Sequence, residues 1–361
     1  MKRTIITFLI IVICILLTVS CGPFDPFEIL GLNNPFLYSI NYGADSISAF
    51  SIGPTGFLSL LPDSLFSTGD GPYLGAVVSN GSYIYTANTG SNSISAFSID
   101  TSGKLTPVPG SPFAAGSYPA GIAITSNGSY LYATNENSDN ISGYSIGSNG
   151  ALVTLPGSPF AAVNYPIGIA ITPNDAYLYV ANYGVSTSNI SIFSIASNGV
   201  LGSSGTTSTG SYPSAIVIAP NGLFLYVLSF SANNVQRYSI NPATGALSSP
   251  ATVPTGTTPV GAVITSNGTY LYVVNQNSNN VSAYSVSITG ALTEIPGSPY
   301  SVGTSPRGLV VTKDDDYLYV TNSAANSISA FSIGSNGALT EIYGSPFTTG
   351  SGPRGIVMVP R

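Results

Sequence analysis

The chain has 361 residues, no histidine, two cysteines and only 6% charged residues, with a net charge of −6. The lack of histidine excludes Ser-His-Asp and Cys-His catalytic arrangements and removes the commonest general base and zinc ligand. Beyond the first three residues the basic residues stand isolated, so we expect no nucleic-acid partner, and we also expect no metal and no cofactor.

The first 20 residues are typical of a secretory signal. Residues 2 and 3 are basic, residues 4–19 are almost wholly apolar, and a small residue precedes Cys21. Residues 17–21 resemble a bacterial lipobox, which implies that Cys21 becomes a lipid-modified N-terminus. We therefore expect attachment to a membrane of the cell envelope through Cys21, followed by a tether over residues 21–34. A plain signal peptide and an uncleaved anchor are the alternatives, although about 16 apolar residues are short for a membrane span.

Seven tyrosines and seven prolines recur along the chain at steps of 46 or 47 residues. The tyrosines are Tyr38, Tyr85, Tyr132, Tyr179, Tyr226, Tyr272 and Tyr319, and the prolines are Pro72, Pro119, Pro166, Pro213, Pro259, Pro306 and Pro353. A period of roughly 40–50 residues indicates a repeat architecture.

Each repeat contains the patterns of four strands and no helical period. In the unit at 119–166, the apolar runs 121–125 and 130–134 are joined by Ser-Asn-Gly, which favours a hairpin turn. Segments 140–146 and 151–155 follow as the third and fourth strands. This pattern predicts one antiparallel sheet for each repeat.

The two ends of the chain predict that the repeats close into a ring. The first repeat begins at its second strand, residues 36–41, and the chain ends with an unpaired innermost strand, residues 355–359. Pairing of these fragments completes one sheet, and a ring covers both apolar faces of every sheet. The sequence therefore predicts an all-β, seven-bladed β-propeller over residues 35–361, with four antiparallel strands per blade. An open solenoid is the competing architecture, but it needs polar caps, and neither end shows one.

Two second strands end in Tyr-Val-Ala-Asn (residues 179–182) and Tyr-Val-Thr-Asn (residues 319–322). These motifs resemble the YVTN family of seven-bladed propellers, which is similar to the lactonase (6-phosphogluconolactonase-like) propellers. The resemblance covers residues 35–361, and its motifs are more specific for the fold than for an activity.

The lactonase-like enzymes carry Pro-Arg-His at the start of an innermost strand and Asn-Glu after a second strand. This chain has Arg307 and Arg354 after prolines, each followed by glycine instead of histidine, and it has Glu136 after an asparagine in a repeat without the arginine. The resemblance implies Arg307, Arg354 and Glu136 as candidate catalytic residues, in a motif split between repeats.

The residue after each strand-opening proline should lie at one mouth of the central channel. These residues are Tyr73, Ala120, Ile167, Ser214, Val260, Arg307 and Arg354. Tyr73, Arg307 and Arg354 belong to three adjacent blades, and two guanidiniums beside a phenol could bind a carboxylate or a phosphate. The alternative is that each arginine binds nearby carbonyls at the channel rim.

The residue that follows each second strand varies between repeats and should share the same mouth. The series reads Tyr42, Thr89, Glu136, Tyr183, Phe230, Gln276 and Ser323. Variable loops on a repeated scaffold are frequent binding sites, so Tyr42, Tyr183 and Phe230 predict contact with a protein or a glycan. Glu136 is either a solvated turn residue or a catalytic acid.

The missing histidine and the split motif favour a non-catalytic propeller, which we also expect to be lipid-anchored and monomeric. We expect it to bind an envelope protein or glycan through its channel-mouth loops. An enzyme is the alternative, a lactonase that hydrolyses a sugar lactone with Arg307 and Arg354 at the anionic end and Glu136 or a bound water assisting. A structural component of a surface layer is a third alternative.

Overall fold

The computed structural model describes residues 35–184, 188–210, 212–248 and 250–359. The predicted signal (residues 1–20), the lipidated Cys21 and the tether (residues 21–34) lie outside the described residues. Within the described ranges, no helix is long and apolar enough to cross a membrane.

The described residues form short β-strands and one 3-10 helix, Tyr42–Ala44. The strands are β1 (Phe36–Asn41), β2 (Ser46–Ile52), β3 (Leu58–Ser67), β4 (Pro72–Val77), β5 (Tyr83–Asn88), β6 (Ser93–Ile99), β7 (Leu105–Pro107), β8 (Phe113–Ala114), β9 (Pro119–Ile124), β10 (Tyr130–Asn135), β11 (Asn140–Ile146), β12 (Leu152–Thr154), β13 (Phe160–Ala161), β14 (Pro166–Ile171), β15 (Tyr177–Asn182), β16 (Asn189–Ile195), β17 (Leu201–Ser208), β18 (Pro213–Ile218), β19 (Phe224–Ser229), β20 (Asn234–Ser239), β21 (Ala251–Pro254), β22 (Pro259–Ile264), β23 (Tyr270–Asn275), β24 (Asn280–Val286), β25 (Leu292–Glu294), β26 (Tyr300–Ser301), β27 (Pro306–Val311), β28 (Tyr317–Asn322), β29 (Ser327–Ile333), β30 (Leu339–Glu341), β31 (Phe347–Thr348) and β32 (Pro353–Val359).

These strands make seven antiparallel sheets, which are the blades of a propeller. Blade 1 contains β32, β1, β2 and β3 from the centre outwards, and blades 2 to 7 begin with β4, β9, β14, β18, β22 and β27 as their innermost strands. In blades 2, 3, 6 and 7 a turn divides the outer strand into two short pieces that both pair with the third strand. Each innermost strand packs against the innermost strands of both neighbouring blades, so the sheets surround one channel.

The last strand closes the ring, as the sequence predicted. β32 pairs antiparallel with β1, with Phe36 opposite Val359, Tyr38 opposite Val357 and Ile40 opposite Gly355. The apolar clusters lie between adjacent blades, and one of them joins Leu37 of blade 1 to Tyr319 of blade 7. The predicted closed, all-β, seven-bladed propeller is therefore confirmed.

The seven periodic tyrosines explain part of the repeat length. Each is fully buried, and its hydroxyl donates a hydrogen bond to a glycine carbonyl in a turn of the next blade. The series runs from Tyr38, which donates to Gly103 at 2.9 Å, to Tyr319, which donates to Gly56 at 2.8 Å across the closure. Burial raises the pKa of the last six of these hydroxyls, for example that of Tyr226 to about 12, which keeps them protonated as donors.

Candidate active site

A cavity of about 420 Å³ lies in the central channel, and every blade contributes side chains to it. The lining comes from the innermost strands and from the loops that follow some of the second strands. Its volume falls in the range of about 300–1,000 Å³ that small-molecule sites occupy. This cavity is the site where the sequence analysis placed most of its candidate residues.

A backbone irregularity aims the first side chains of the innermost strands into the channel. In every blade the pairing between the first and second strands shifts register next to the opening proline. Such bulges redirect a side chain. The residues after the proline that line the cavity are Tyr73, Ile167, Ser214, Val260, Arg307 and Arg354, whereas Ala120 does not belong to the lining.

Arg307 and Arg354 place two positive charges in this cavity. Both are half-buried, and the Nε atom of each is buried without a hydrogen-bond partner. Among the described residues no carboxylate forms an ion pair with either guanidinium. Burial lowers the pKa of Arg307, the nearby Tyr73 hydroxyl opposes this shift, and the second positive charge on Arg354 adds to it. The arrangement leaves uncompensated positive charge, which favours an anionic ligand.

Two tyrosines hold the Arg354 side chain in place. The guanidinium carbon lies 3.7 Å from the ring centroid of Tyr42 and 4.9 Å from that of Tyr73. The two rings are themselves edge to face, with centroids 6.4 Å apart. Cation–π contacts of this kind orient an arginine without using its hydrogen-bond donors. Tyr42 and Tyr73 thus lie beside Arg354 and fix the position of its guanidinium at the cavity.

Glycine follows both arginines because the innermost strands approach closely. A Cβ atom on Gly308 would lie 2.5 Å from the carbonyl oxygen of Arg354, and one on Gly355 would lie 3.0 Å from that of Tyr73. A histidine at either position would require the neighbouring strand to move. The departure from Pro-Arg-His therefore has a packing reason in this chain.

Glu136 reaches the same cavity from blade 3. It follows β10 directly and is half-buried, and its burial raises the pKa of its carboxyl group. Its charge in turn raises the pKa values of Tyr118 and Tyr183, after the larger effect of their own burial, so these hydroxyls lie near it. The expectation of a solvated turn residue is replaced by a partly desolvated carboxyl group that faces a ligand cavity.

Aromatic residues from blades 4 and 5 form a cluster across the channel. Tyr183 and Phe230 line the cavity, and their rings lie 5.8 Å apart at 74°. Tyr212 packs behind them, 5.0 Å from Tyr183. We call these three residues the aromatic cluster. Tyr183 and Phe230 were predicted from the sequence as contact residues, whereas Tyr212 was not.

Tyr118, which was not among the residues predicted from the sequence, lines the cavity next to Glu136. Tyr118 and Tyr212 both directly precede a strand-opening proline, and their φ angles are 58°. In all seven blades the residue before this proline has a left-handed backbone conformation, which residues other than glycine adopt at an energetic cost. The repeated Tyr-Pro dipeptide was the available signal for both residues.

The asparagines that end most of the second strands have a structural role. Asn135, for example, is fully buried, and its Nδ2 donates hydrogen bonds to Asn140 Oδ1 at 2.7 Å and to Ser142 Oγ at 2.9 Å. The backbone N–H of Gly116 donates to its Oδ1 at 3.1 Å. Asn41 and Asn275 likewise accept hydrogen bonds from Thr349 and Thr255 of their incoming loops, so these side chains join the loop to the blade.

The structure thus brings together residues that are far apart in the sequence. Arg307, Arg354, Tyr73 and Glu136, together with the aromatic residues Tyr183 and Phe230, line one cavity, and Tyr42 supports it from behind Arg354. The scattering of the motif between repeats had argued against an enzyme. In the ring, however, blades 3, 7 and 1 surround the same channel, so the separated parts of the motif lie in one cavity.

Comparison with known proteins gives a family and several structures of the same fold. The family described as "Lactonase, 7-bladed beta-propeller" matches residues 76–156, 150–260, 202–306 and 263–346. A comparison with curated proteins gives no match. A provisionally assigned 6-phosphogluconolactonase of Bacteroides fragilis has a TM-score of 0.77 at 21% identity, with 94% of this chain and 100% of that chain covered.

Two further structures have the same architecture. A provisionally assigned 6-phosphogluconolactonase of Bacteroides uniformis has a TM-score of 0.76 at 18% identity, covering 91% of this chain and 100% of that chain. The periplasmic gluconolactonase of Pseudomonas aeruginosa has a TM-score of 0.75 at 17% identity, covering 90% of this chain and 99% of that chain. At these identities the structures show the fold alone.

The family match overturns the leading hypothesis of the sequence analysis. A non-catalytic, lipid-anchored propeller that binds an envelope partner was the wrong choice, and the match favours the lactonase alternative. The error had a definable cause. The missing histidine and the split motif were taken as loss of an active site, although in the folded chain Glu136 and both arginines face one cavity.

Proposed function

Because the chain belongs to the family of seven-bladed lactonase propellers, we propose that it hydrolyses a lactone in the channel cavity. Arg307 and Arg354 bind the negative charge of the substrate and of the oxygen that becomes anionic during the reaction. Glu136 acts as the general base that activates water. The single observation that carries this proposal is the convergence of a partly desolvated carboxyl group and two uncompensated guanidiniums on one cavity.

The two arginines support recognition of an anion. Their guanidiniums have no carboxylate partner among the described residues, and a buried Nε donor on each still lacks an acceptor. An anionic group of the substrate would compensate the two positive charges in a site of low dielectric constant, where charge-assisted hydrogen bonds are strong. Because the rings of Tyr42 and Tyr73 already hold the Arg354 guanidinium in place, this side chain needs little rearrangement to bind the anion.

Glu136 supports the hydrolytic step. Its ionised carboxylate accepts a proton from water, and the hydroxide attacks the lactone carbonyl. The resulting oxyanion is stabilised by a neighbouring guanidinium or by the Tyr118 hydroxyl. When the ring C–O bond breaks, the proton held by Glu136 moves to the leaving alkoxide, which yields a hydroxy acid. A raised pKa suits this role, because a base works best when its pKa is close to the working pH.

Hydrolysis of a lactone panel by the purified protein tests the proposal. The panel contains gluconolactone and its 6-phosphate, and a pH-stat measures the rate above spontaneous hydrolysis. We expect Glu136→Gln to lower kcat by about 100-fold or more. We expect Arg307→Ala and Arg354→Ala to raise KM for an anionic lactone by about tenfold or more.

Two substitutions outside the cavity lining serve as matched controls. Arg237→Ala removes a guanidinium that lies 5.7 Å over the Phe224 ring in blade 5, and Glu341→Gln removes an exposed carboxylate. Both variants should keep the parent's kcat and KM. The proposal is wrong if no lactone is hydrolysed above the spontaneous rate. It is also wrong if Glu136→Gln retains the full rate.

A further inference from the structure

The candidate cavity has two chemically different ends. Arg307 belongs to blade 7 and Arg354 to blade 1, whereas Tyr183 and Phe230 belong to blades 4 and 5. In a ring of seven, blade 4 lies three blades away from both arginine-bearing blades, and blade 5 lies three blades from blade 1. The positive charges and the aromatic cluster therefore lie on opposite sides of the channel.

The aromatic cluster is organised before any ligand binds. Phe230 stands edge to face against Tyr183, and the Tyr212 ring packs against the same side chain with its centroid 5.0 Å away. The backbone N–H of Phe230 donates to the carbonyl of Tyr212 at 2.9 Å, which joins the two segments that carry these rings. Aromatic rings fixed in this way bind another ring or an alkyl group at a low entropic cost.

Most of the other side chains that line the channel are aliphatic, although Tyr73, Tyr118 and Glu136 are polar. Isoleucine, leucine and valine side chains face it, namely Leu74, Ile122, Ile167, Ile169, Ile216, Val260, Leu309 and Ile356. The one serine in the lining, Ser214, already donates to the Pro259 carbonyl at 2.8 Å. Hydroxyl groups of a ligand that face these aliphatic side chains would be buried without hydrogen-bond partners, which is unfavourable.

We propose that the aromatic cluster is a second subsite, and that the preferred substrate is an acidic lactone bearing an aryl or alkyl group rather than a phosphorylated sugar lactone. That the substrate is a lactone rests on the proposed function, whereas the second subsite rests only on the residues that line the cavity. The anionic group lies against Arg307 and Arg354. The apolar group lies against Tyr183 and Phe230, and the aliphatic side chains of the lining lie between the two subsites.

Binding of stable acids tests the subsite without any need for catalysis. Calorimetry compares hexanoate, 6-phenylhexanoate and 6-phosphogluconate. We expect the phenyl group to tighten binding by about tenfold or more through burial and ring contact. We expect 6-phosphogluconate to bind more weakly than 6-phenylhexanoate. A phenyl group that brings no gain, or a sugar acid that binds more tightly, overturns the proposal.

Variants assign the gain to the cluster. Phe230→Ala and Tyr183→Ala should each abolish most of the advantage of 6-phenylhexanoate over hexanoate, whereas Arg354→Ala should weaken both acids alike. Tyr343→Ala is the matched control, because Tyr343 is 93% exposed and lies outside the cavity lining. Circular dichroism melts of both aromatic variants establish that they fold. A gain that persists in both folded variants also refutes the subsite.

Failure of this inference is distinguishable from failure of the proposed function. If the phenyl gain depends on Phe230 but no lactone is hydrolysed, the subsite stands and the enzyme assignment falls. If lactones are hydrolysed but neither aromatic variant alters the binding of the acids, the enzyme stands and the subsite falls.

Discussion

Replacement of Tyr272 by phenylalanine measures how much the ring of tyrosine hydroxyls contributes to stability. Tyr272 is fully buried in blade 6, and its hydroxyl donates to the carbonyl of Gly337 in blade 7 at 2.9 Å. Tyr270, two residues earlier on β23, makes a parallel bond to the carbonyl of Ser335 at 2.6 Å, but it is partly exposed. The two tyrosines thus form a matched pair that differs mainly in burial.

The expected magnitudes follow from that difference. In Tyr272→Phe the Gly337 carbonyl loses its donor in a site that water does not reach, which costs about 1–3 kcal/mol of unfolding free energy. In Tyr270→Phe water replaces the lost donor, so the cost should stay below about 1 kcal/mol. The total stability of a domain is about 5–15 kcal/mol, so the first loss is readily measured.

Urea unfolding followed by circular dichroism provides the measurement. The midpoint should fall clearly for Tyr272→Phe and only slightly for Tyr270→Phe, with similar slopes in denaturant. Equal shifts for the two variants would refute the reasoning, because burial would then not determine the value of these bonds. An unchanged midpoint for Tyr272→Phe would show that the inter-blade bond contributes nothing.

Three further predictions follow from the closure, the glycine packing and the buried carboxyl group. Removal of residues 355–361 takes away most of β32, including the buried side chains Ile356 and Val359, whose burial stabilises the fold by about 1.5–3 kcal/mol each. The truncated chain should therefore melt far below the parent in a calorimeter, and a shift of only a few degrees would contradict the closure. Gly308→Ala places a methyl group against the Arg354 carbonyl and should cost about 1–3 kcal/mol in urea unfolding, whereas Gly53→Ala, whose nearest neighbour is 3.6 Å away, should cost less; equal losses would contradict the close approach. Burial raises the pKa of Glu136 above the ordinary 4.5, so the unfolded chain loses this proton at a lower pH than the folded chain, and the free energy of unfolding should fall as pH rises from 4.5 to the raised pKa. For the same reason kcat/KM should rise with pH and level off only above 4.5, and a Glu136→Gln variant with the parent's stability profile would contradict the shift.

The repeat period determined the fold from the sequence alone. Seven equivalent tyrosines and prolines, an incomplete first repeat and an unpaired last strand are local patterns that a reader can count, and together they allow one closed ring. The structure then supplied the reason for the tyrosine period, since each hydroxyl reaches a turn of the next blade. The resemblance of the Tyr-Val-Thr-Asn motif also led to the right family.

The site required the tertiary structure, because it is assembled from positions that the sequence separates. The sequence named Arg307, Arg354, Tyr73 and Glu136, but their common cavity depends on the order of blades around the channel and on the bulge after each proline. The role of Gly308 was likewise hidden, because the atom that excludes a side chain there belongs to Arg354 in the next blade. Local patterns therefore determined the blades of this protein, whereas the distances between side chains of different blades decided what the channel can bind.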